Sequence, residues 1–295
     1  MTPVFRVNPL RLRHCSRWRL AGAAVLVVVL MALLACAKPM PTLPPLGTGQ
    51  TWLPGKVVWH DLITPELDKT KAFYGALFGW TFEDLSAGYS LASLNGRPVA
   101  GIARLDLPGR VGHWLSLVSV TDIDAVHKQA LAADAASVKA PFEVPGRGEA
   151  AVLRDPQGAA FGIVQSRQGD PKDRKPELND WLWNEIWTDD VDGAGRFYTS
   201  VLGYELTEKE VDGVALRFLA HGDRPRVGLL EKMSPEMKNT WVSFILVADV
   251  AAAVASVESL GGQVLVAPQA NIRNGSLAII TDPSGAGLIL QEWNK

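Results

Sequence analysis

The sequence predicts an α+β protein made of two tandem copies of one unit, each copy containing two βαβββ modules. Two observations lead to this prediction. The segment that begins at Val57 returns from Trp181, so that Trp59 and Trp183 stand 124 positions apart. Within each copy, stretches with strand-like alternation and stretches with helical spacing follow one another in the same order. With 295 residues, 47% of them hydrophobic, the chain has enough apolar side chains for two globular domains.

The first predicted element is an export signal over residues 1–35. It holds five Arg and no acidic residue, followed by an uncharged run of 16 residues from Leu20 to Ala35, which is short for a transmembrane span. The run leads into Leu33-Leu34-Ala35-Cys36, which resembles a bacterial lipoprotein signal. That resemblance implies that Cys36 is lipidated. Because Ala37 rather than Asp follows it, the resemblance places the protein in the cell envelope, on the periplasmic face of the outer membrane. An ordinary signal peptide and an N-terminal anchor helix are the alternatives.

Removal of this signal changes the charge of the protein. The whole chain has 29 Lys and Arg against 31 Asp and Glu; without the five Arg, 24 basic residues remain and the net charge falls from -2 to -7. No basic excess exists that would bind a nucleic-acid backbone. Cys15 would leave with the signal and Cys36 would carry lipid, so no thiol would remain for a disulfide or a metal.

The remaining chain divides into four predicted segments. Residues 36–55 contain five Pro and three Gly and are predicted to form an extended tether. The first domain is predicted over 56–166 and the second over 181–295, with a polar linker over 167–180.

The first copy shows the order of elements most clearly. A strand is predicted over 57–63, and Thr64-Pro65 is predicted to open a helix that ends at Gly79. Turn residues such as Asn95-Gly96 separate three short strands. The second module repeats the order: a strand from His113, a helix capped by Asp122, and three strands that end at 165.

Short motifs accompany this layout in both copies. The first helix of each carries F-Y, at 73–74 and 197–198, and D-P-x-G precedes the last strand, at 155–158 and 282–285. In this order they resemble the vicinal oxygen chelate superfamily over about residues 56 to 293. That superfamily includes glyoxalase I, extradiol dioxygenases, fosfomycin-modifying enzymes and bleomycin-resistance binding proteins. The resemblance implies mixed sheets that form half-open barrels. It also implies that the tandem copies form a monomeric pseudo-dimer within one chain, with a homodimer as the alternative.

The resemblance further implies where a metal would be held. The metalloenzymes of the superfamily hold a divalent metal through His or Gln and Glu at the cleft-facing ends of particular strands. The matching positions in this sequence are mostly apolar: Trp59, Leu115 and Gly162 in the first copy, and Trp183, Val242 and Leu288 in the second. His60 and His113, with Asp61 beside them, are the remaining metal candidates. Because side chains alternate along a strand, His60 is expected to point away from the cleft if Leu62 packs under the helix.

The first strand of each copy offers aromatic rings and a carboxylate instead. Indole faces stack on planar or cationic ligands, and a carboxylate favours positive charge. A structural role for these Trp in the core or between the copies is the alternative interpretation. The predicted ligand-binding residues are Trp59, Asp61, Ile63, His113, Leu115, Trp183, Glu185 and Trp187.

The sequence thus favours a lipoprotein that binds a small aromatic or cationic molecule without a cofactor. One alternative is a lyase, isomerase or dioxygenase that depends on a divalent metal such as Zn, Ni, Mn or Fe. Another is a protein-interaction module of the cell envelope. The expected partners are a small-molecule ligand and, through the lipid anchor, the membrane.

Overall fold

The computed structural model describes residues 40–105, 111–211, 214–270 and 272–293. The predicted signal and Cys36 lie outside these residues. The described chain contains two open, mixed sheets of eight strands, one for each copy, with strand orders β2-β3-β4-β1-β5-β8-β7-β6 and β10-β11-β12-β9-β13-β16-β15-β14. The two orders match strand for strand, which confirms the predicted α+β fold and its duplication. No helix in these ranges is both long and apolar enough to span a membrane.

The first sheet joins two modules through its central strands. The strand β1 pairs in parallel with β4 of its own module and antiparallel with β5 of the next. The elements of this copy are β1 (Val57–Thr64), α1 (Leu67–Phe78), β2 (Thr81–Ser86), β3 (Tyr89–Leu94), β4 (Arg97–Arg104), β5 (His113–Ser119), α2 (Ile123–Ala132), β6 (Ala136–Val144), β7 (Gly148–Arg154) and β8 (Ala160–Ser166).

The second sheet repeats this pairing, with β9 parallel to β12 and antiparallel to β13. Its elements are β9 (Trp181–Thr188), α3 (Val191–Leu202), β10 (Glu205–Val211), β11 (Val214–His221), β12 (Arg224–Glu231), β13 (Thr240–Leu246), α4 (Val250–Val257), β14 (Gln263–Val266), a short 3-10 turn (Arg273–Gly275), β15 (Leu277–Thr281) and β16 (Gly287–Gln291).

The helix ends follow local side-chain chemistry. Helix α1 ends where Gly79 adopts a left-handed φ of 71°, as predicted. Its start differs from the prediction, because Thr64 is the last residue of β1 and its hydroxyl accepts a hydrogen bond from the Glu66 backbone N–H at 3.0 Å. The helix therefore begins at Leu67. Asp122 caps α2 as expected, accepting from the Ala125 N–H at 2.9 Å.

The helices pack between the two copies, so that each of the two large hydrophobic cores contains residues of both copies. Phe73 and Tyr74 of α1 share a buried cluster with Ile280 and Leu288 of the second copy. In the reverse direction, Phe197 and Tyr198 of α3 pack with Phe161 and other residues of the first copy. Burial of these apolar faces requires both copies at once.

The two sequence motifs meet across this interface. The Tyr198 hydroxyl donates to Asp155 of the first D-P-x-G turn at 2.8 Å and accepts from Trp241 Nε1 at 2.8 Å. In the related position of the first copy, Tyr74 accepts from Trp114 Nε1 at 2.9 Å. Burial, together with the nearby Asp155 carboxylate, raises the pKa of Tyr198 well above its usual value. The motifs therefore join the copies in addition to shaping a turn and a helix.

The segment predicted as an extended tether packs, from Leu43 onward, against the first domain. The Leu43 N–H donates to the Pro145 carbonyl at 2.8 Å, and the Gly55 N–H donates to the Ser119 carbonyl at 2.9 Å. The Leu43 side chain is buried among residues of the first sheet. Pro and Gly composition indicated a chain without regular secondary structure, but such a chain can still pack when it has apolar side chains to bury.

Candidate functional site

Each sheet has one side packed on helices and an opposite side, called face 1 in the first copy and face 2 in the second. Trp59 and Asp61 lie on face 1, and Trp183, Glu185 and Trp187 lie on face 2. The residues that the sequence analysis predicted to bind a ligand thus lie on these two sides. Leu115 also lies on face 1, directly opposite Asp61 in the ladder, and Ile63 pairs with His113 near the end of the same strands.

Asp61 lies at the centre of face 1 and is held by two donors. The Trp59 indole N–H donates to its carboxylate at 3.0 Å, and the Tyr89 hydroxyl donates to it at 2.8 Å. Its neighbour on β4 is Gly101, where a methyl group would overlap both the carboxylate and the Tyr89 hydroxyl. Burial raises the pKa of Tyr89 well above its usual value, and the Asp61 charge adds to that rise. Tyr89 is therefore a neutral donor that fixes Asp61.

An arginine from the β6–β7 turn enters face 1. The guanidinium carbon of Arg147 lies 4.0 Å from the centre of the Trp59 ring, and its Nε donates to the Pro44 carbonyl at 3.2 Å. The side chain is only 2% exposed, and its Nη2 atom has no hydrogen-bond partner among the described residues. Face 1 therefore contains a buried cation next to its indole.

The N-terminal segment covers face 1. Leu43 and Leu46 pack onto the same cluster as Trp59, Leu115 and Leu117. All but Leu46 of these are less than 9% exposed. Much of face 1 is therefore covered, although Asp61 and Tyr89 remain partly exposed.

Face 2 carries a related arrangement with a different arginine contact. Glu185 is 3% exposed and accepts from the Trp187 indole N–H at 2.8 Å and from Arg273 Nη2 at 2.5 Å. Its neighbour on β12 is Gly228, where a Cβ would lie 2.8 Å from Glu185 Cγ and 3.2 Å from Trp183 Nε1. A glycine beside the central carboxylate is thus common to both copies.

Arg273 reaches face 2 from a strained turn. Its φ is 45° and that of Asn274 is 54°, both in the left-handed region that residues other than glycine seldom adopt. The guanidinium also donates to Gln291 Oε1 at 2.9 Å and lies 5.3 Å from the Phe244 ring centre. Because two oxygen acceptors and a ring hold it, Arg273 neutralises Glu185 in place.

The sequence analysis missed both arginines. They come from equivalent turns, since Gly148 and Gly275 stand 127 positions apart, the spacing that also relates Asp155 to Asp282. An arginine lies one residue before Gly148 and two residues before Gly275. Extending the repeat alignment into these turns would have found them.

Face 2 is more open than face 1. Around Trp187 and Phe244, which are buried, lie partly exposed apolar side chains: Trp183, Leu230, Met237, Val242, Val266 and Ile272. The N-terminal segment makes its contacts with the first sheet. Face 2 is therefore the better place for a ligand to enter.

As the strand alternation predicted, His60 lies on the side of the sheet opposite Trp59. Its Nε2 lies 2.9 Å from Asn184 Oδ1, and Ser116 and Ser243 hydroxyls donate to the same oxygen at 3.2 and 3.0 Å. His60 also stacks on Trp181 with 3.7 Å between ring centres. Burial lowers the pKa of His60 to about 4, so the ring is neutral at pH 7. The residue belongs to the contact between the copies.

Comparison with known proteins agrees with this fold. Residues 182–290 match the model of the Glyoxalase/Bleomycin resistance protein/Dioxygenase superfamily. The putative glyoxylase CFP32 of Mycobacterium tuberculosis is 32% identical over 237 residues, covering 77% of this chain and 91% of that protein. The chain belongs to the glyoxalase/bleomycin resistance protein/dioxygenase superfamily.

Two further similarities extend over most of the chain. The anthracycline biosynthesis protein DnrV of Streptomyces peucetius is 30% identical over 261 residues, covering 82% of this chain and 94% of that protein. The Mn(II)-bound glyoxalase from Novosphingobium aromaticivorans shares the fold, with a TM-score of 0.55 at 15% identity over 81% of this chain and 82% of that one. At that identity, the likeness to the glyoxalase concerns the fold alone.

The donor set on each face does not fit the divalent metal of the superfamily's metalloenzymes. On face 1, Asp61 has Leu115 as its neighbour on β5, and Leu117 pairs with Gly162 on β8. Within the ranges that the structure describes, no three His, Cys, Asp or Glu side chains converge. A zinc or iron site needs three or four such ligands.

The same holds for face 2, with one correction to the predicted register. Glu185 pairs with Val242 on β13, and Phe244 pairs with Ile289 on β16. Ile289 therefore occupies the position that matches the last metal ligand of the metalloenzymes, whereas Leu288 packs on the helix side. The predicted position, Leu288, is one residue away from the observed one, and a shift of one residue along a strand reverses the face.

The two histidine candidates do not form a pair. His60 faces the other copy, whereas His113 pairs with Ile63 on the opposite side of the same sheet. Burial and the nearby Arg154 charge lower the pKa of His113, and its Nε2 is buried with no partner in the described part of the chain. With the sheet between them, the two rings cannot share a metal.

Proposed function

We propose that this superfamily member binds a small planar aromatic molecule on face 2. The observation that carries the proposal is the arrangement there of Trp183 and Trp187 on either side of Glu185, with Arg273 paired to the carboxylate. Because Trp187 is buried, the partly exposed Trp183 indole offers the accessible apolar surface for stacking. Because Arg273 already neutralises Glu185, the face favours an aromatic ligand over a cationic one.

A relative supports the same ligand class. DnrV is named for anthracycline biosynthesis, and anthracyclines are planar, polycyclic aromatic molecules. CFP32 is named a putative glyoxylase. The proposal includes no metal step, since each face contributes one carboxylate and mostly apolar neighbours. Elemental analysis of protein purified without chelator tests this part, and one metal ion per chain would contradict it.

Titration with a neutral hydroxyanthraquinone, followed by intrinsic Trp fluorescence, tests ligand binding. Trp183→Ala and Leu230→Ala are each expected to weaken binding at least tenfold, since both remove apolar surface from face 2. Trp293→Ala is the matched control, because Trp293 is 62% exposed near the C-terminus. Absence of binding across a panel of neutral aromatic molecules, or unchanged affinity in both face 2 variants, would contradict the proposal.

We also propose that Cys36 is lipidated and anchors the protein to the cell envelope. The support is the sequence Leu33-Leu34-Ala35-Cys36 after an uncharged run. Labelled palmitate is expected to enter the wild-type chain and not Cys36→Ser, with Cys15→Ser as the control. Equal labelling of wild type and Cys36→Ser, or none in either, would contradict lipidation at this residue.

A further inference from the structure

A cleft of about 510 Å³ lies between the two copies; Trp59 of face 1 and Trp183 of face 2 line it, but neither central carboxylate does. It runs from the start of β1 and β9 to the linker that joins the copies, and its lining includes His60 and Asn184. A volume of this size is within the range of small-molecule sites in proteins. Nothing in the superfamily match or the proposed function on face 2 accounts for it.

The lining of the cleft is strongly basic. Two acidic residues, Asp173 and Asp180, line it together with five basic ones: Lys56, Arg97, Lys172, Arg174 and Arg226. Among the lining residues alone, the basic side chains exceed the acidic ones by three. This surplus is opposite in sign to the whole chain, which carries a net charge of -2.

Each carboxylate of the cleft is shared by several cations. Asp173 pairs with Lys56 at 3.2 Å and with Arg226 at 2.8 Å. Asp180 pairs with Arg97 at 2.9 Å and also with Arg174. The Nε atom of Arg226 is buried and lacks a hydrogen-bond partner within the described ranges. Burial of Lys56 lowers its pKa, although Asp173 partly offsets that effect. Glu177 also contacts two of these arginines, Arg174 at 3.5 Å and Arg97 at 3.9 Å. Four of the five lining cations therefore share three carboxylates.

The duplication itself places arginines beside the cleft. Arg97-Pro98 begins β4 and Arg224-Pro225 begins β12, and the two pairs stand 127 positions apart. Arg97 lines the cleft, and Arg224 binds Asp173 in its wall at 2.8 Å. Equivalent turns of both copies thus direct positive charge to the same space.

The inner part of the cleft is aromatic and uncharged. The Trp181 indole stacks on His60, and Trp183 also lines the space. The Oδ1 atom of Asn184 accepts hydrogen bonds from the neighbouring Ser116 and Ser243 hydroxyls. A ligand here would meet rings on the inside and cations at the rim.

We propose that this cleft binds a small aromatic carboxylate, with its ring against Trp181 and Trp183 and its carboxylate among Arg97, Lys172 and Arg174. Carboxylates bind arginine forks through paired, charge-assisted hydrogen bonds. The aromatic ring would gain the stacking surface that a simple inorganic anion cannot use.

Calorimetric titration of the full chain with phthalate, a benzene dicarboxylate, tests this proposal. Binding is expected, and phthalamide, the uncharged analogue, is expected to bind at least tenfold more weakly. Raising the salt concentration from about 20 to about 500 mM should weaken phthalate binding several-fold, because exposed charges are screened. Absence of phthalate binding at low salt, or equal binding of phthalate and inorganic phosphate, would overturn the proposal.

Variants locate the site. Arg97→Gln is expected to weaken phthalate binding at least fivefold, and Asp180 still keeps Arg174 as its partner in this variant. Lys172→Gln changes an exposed side chain and should weaken binding about twofold without affecting folding. Arg104→Gln, at the other end of β4 and paired with Asp68, is the control. Unchanged affinity in both Arg97→Gln and Lys172→Gln would overturn the proposal. Leu230→Ala should leave phthalate binding intact, which separates this site from face 2.

Discussion

The two copies have the same strand order and a glycine beside a central carboxylate, but face 1 and face 2 differ in access. On face 1, Leu43 and its neighbours cover the sheet, and Arg147 stacks on Trp59. On face 2, apolar side chains remain partly exposed, and Arg273 binds Glu185 directly. The comparison teaches that two copies with the same scaffold can differ in access, because the segment before the first copy packs on face 1.

The copies also differ where they touch. The equivalent positions 60 and 184 hold His in one copy and Asn in the other, and the two side chains lie 2.9 Å apart. At this contact the His60 ring can donate to the Asn184 oxygen, which also accepts from the Ser116 and Ser243 hydroxyls. Divergence thus produced complementary groups in a buried contact.

The largest expected effect comes from replacing His60 with Asn, which removes this difference between the copies. The pKa of His60 is about 4 in the folded protein and near 6.5 when unfolded, so below pH 6.5 the unfolded chain binds a proton that the folded one does not. The free energy of unfolding should therefore fall by about 3 kcal/mol as the pH drops from 6.5 to 4. This loss adds to the contributions of the other titrating groups. Chemical denaturation of wild type and His60→Asn across this range measures it.

The variant serves as its own reference, because every other titrating group is common to both proteins. Asp155 and Asp282, whose pKa values are raised by burial, cancel in the difference. The difference between the unfolding free energies of wild type and variant should be constant above pH 7. Toward pH 4 it should shift against the wild type. A difference that is independent of pH would show that His60 is not held neutral by burial.

The second prediction compares the two glycines. Gly101→Ala should destabilise the protein by about 2 to 3 kcal/mol, since the added Cβ would overlap both the Tyr89 hydroxyl and an Asp61 oxygen. Gly228→Ala should cost about 1 kcal/mol, because its nearest neighbours, Glu185 Cγ and Trp183 Nε1, lie 2.8 and 3.2 Å from the added Cβ. Thermal or chemical unfolding measures both.

The control for these glycine variants is Gly287→Ala in β16, where an added Cβ meets nothing within 4 Å. Its stability should stay within about 0.5 kcal/mol of wild type. Equal losses for Gly101→Ala and Gly228→Ala would mean that the two faces are equally rigid.

The smallest expected effect concerns the paired tyrosines. Tyr198→Phe removes a donor to Asp155 and an acceptor for Trp241, and should cost about 1 to 2 kcal/mol. Tyr74→Phe, which leaves the Trp114 N–H without its acceptor, should cost about 1 kcal/mol. Urea denaturation of both variants checks the order, and a larger loss for Tyr74→Phe would reverse the assigned asymmetry.

Much of the fold followed from the sequence because it depends on periodicity and repetition. Recurrence of matched residues, Trp59/Trp183 at 124 positions and Asp155/Asp282 at 127, indicated the duplication, and the alternation of β1 correctly separated His60 from Trp59. Strand alternation is a local property, so the residues of one strand are enough to define it.

The arginine contacts and the cover over face 1 did not follow from the sequence. Arg147 and Arg273 come from turns, where no period fixes the direction of a long side chain. The segment around Leu43 has a linker-like composition, and its packing depends on an apolar surface that only the folded sheet provides. Such features depend on tertiary contacts between distant positions.

The exchange of helices between the copies has a consequence for how this chain folds and arose. Because α1 completes its core on the second copy and α3 completes its core on the first, neither half has a finished interior until both have been synthesised. Folding must therefore close contacts more than 100 residues apart, which is expected to be slow. A half-length ancestor would have met the same requirement by associating with an identical chain, and fusion of two genes would have made that association permanent.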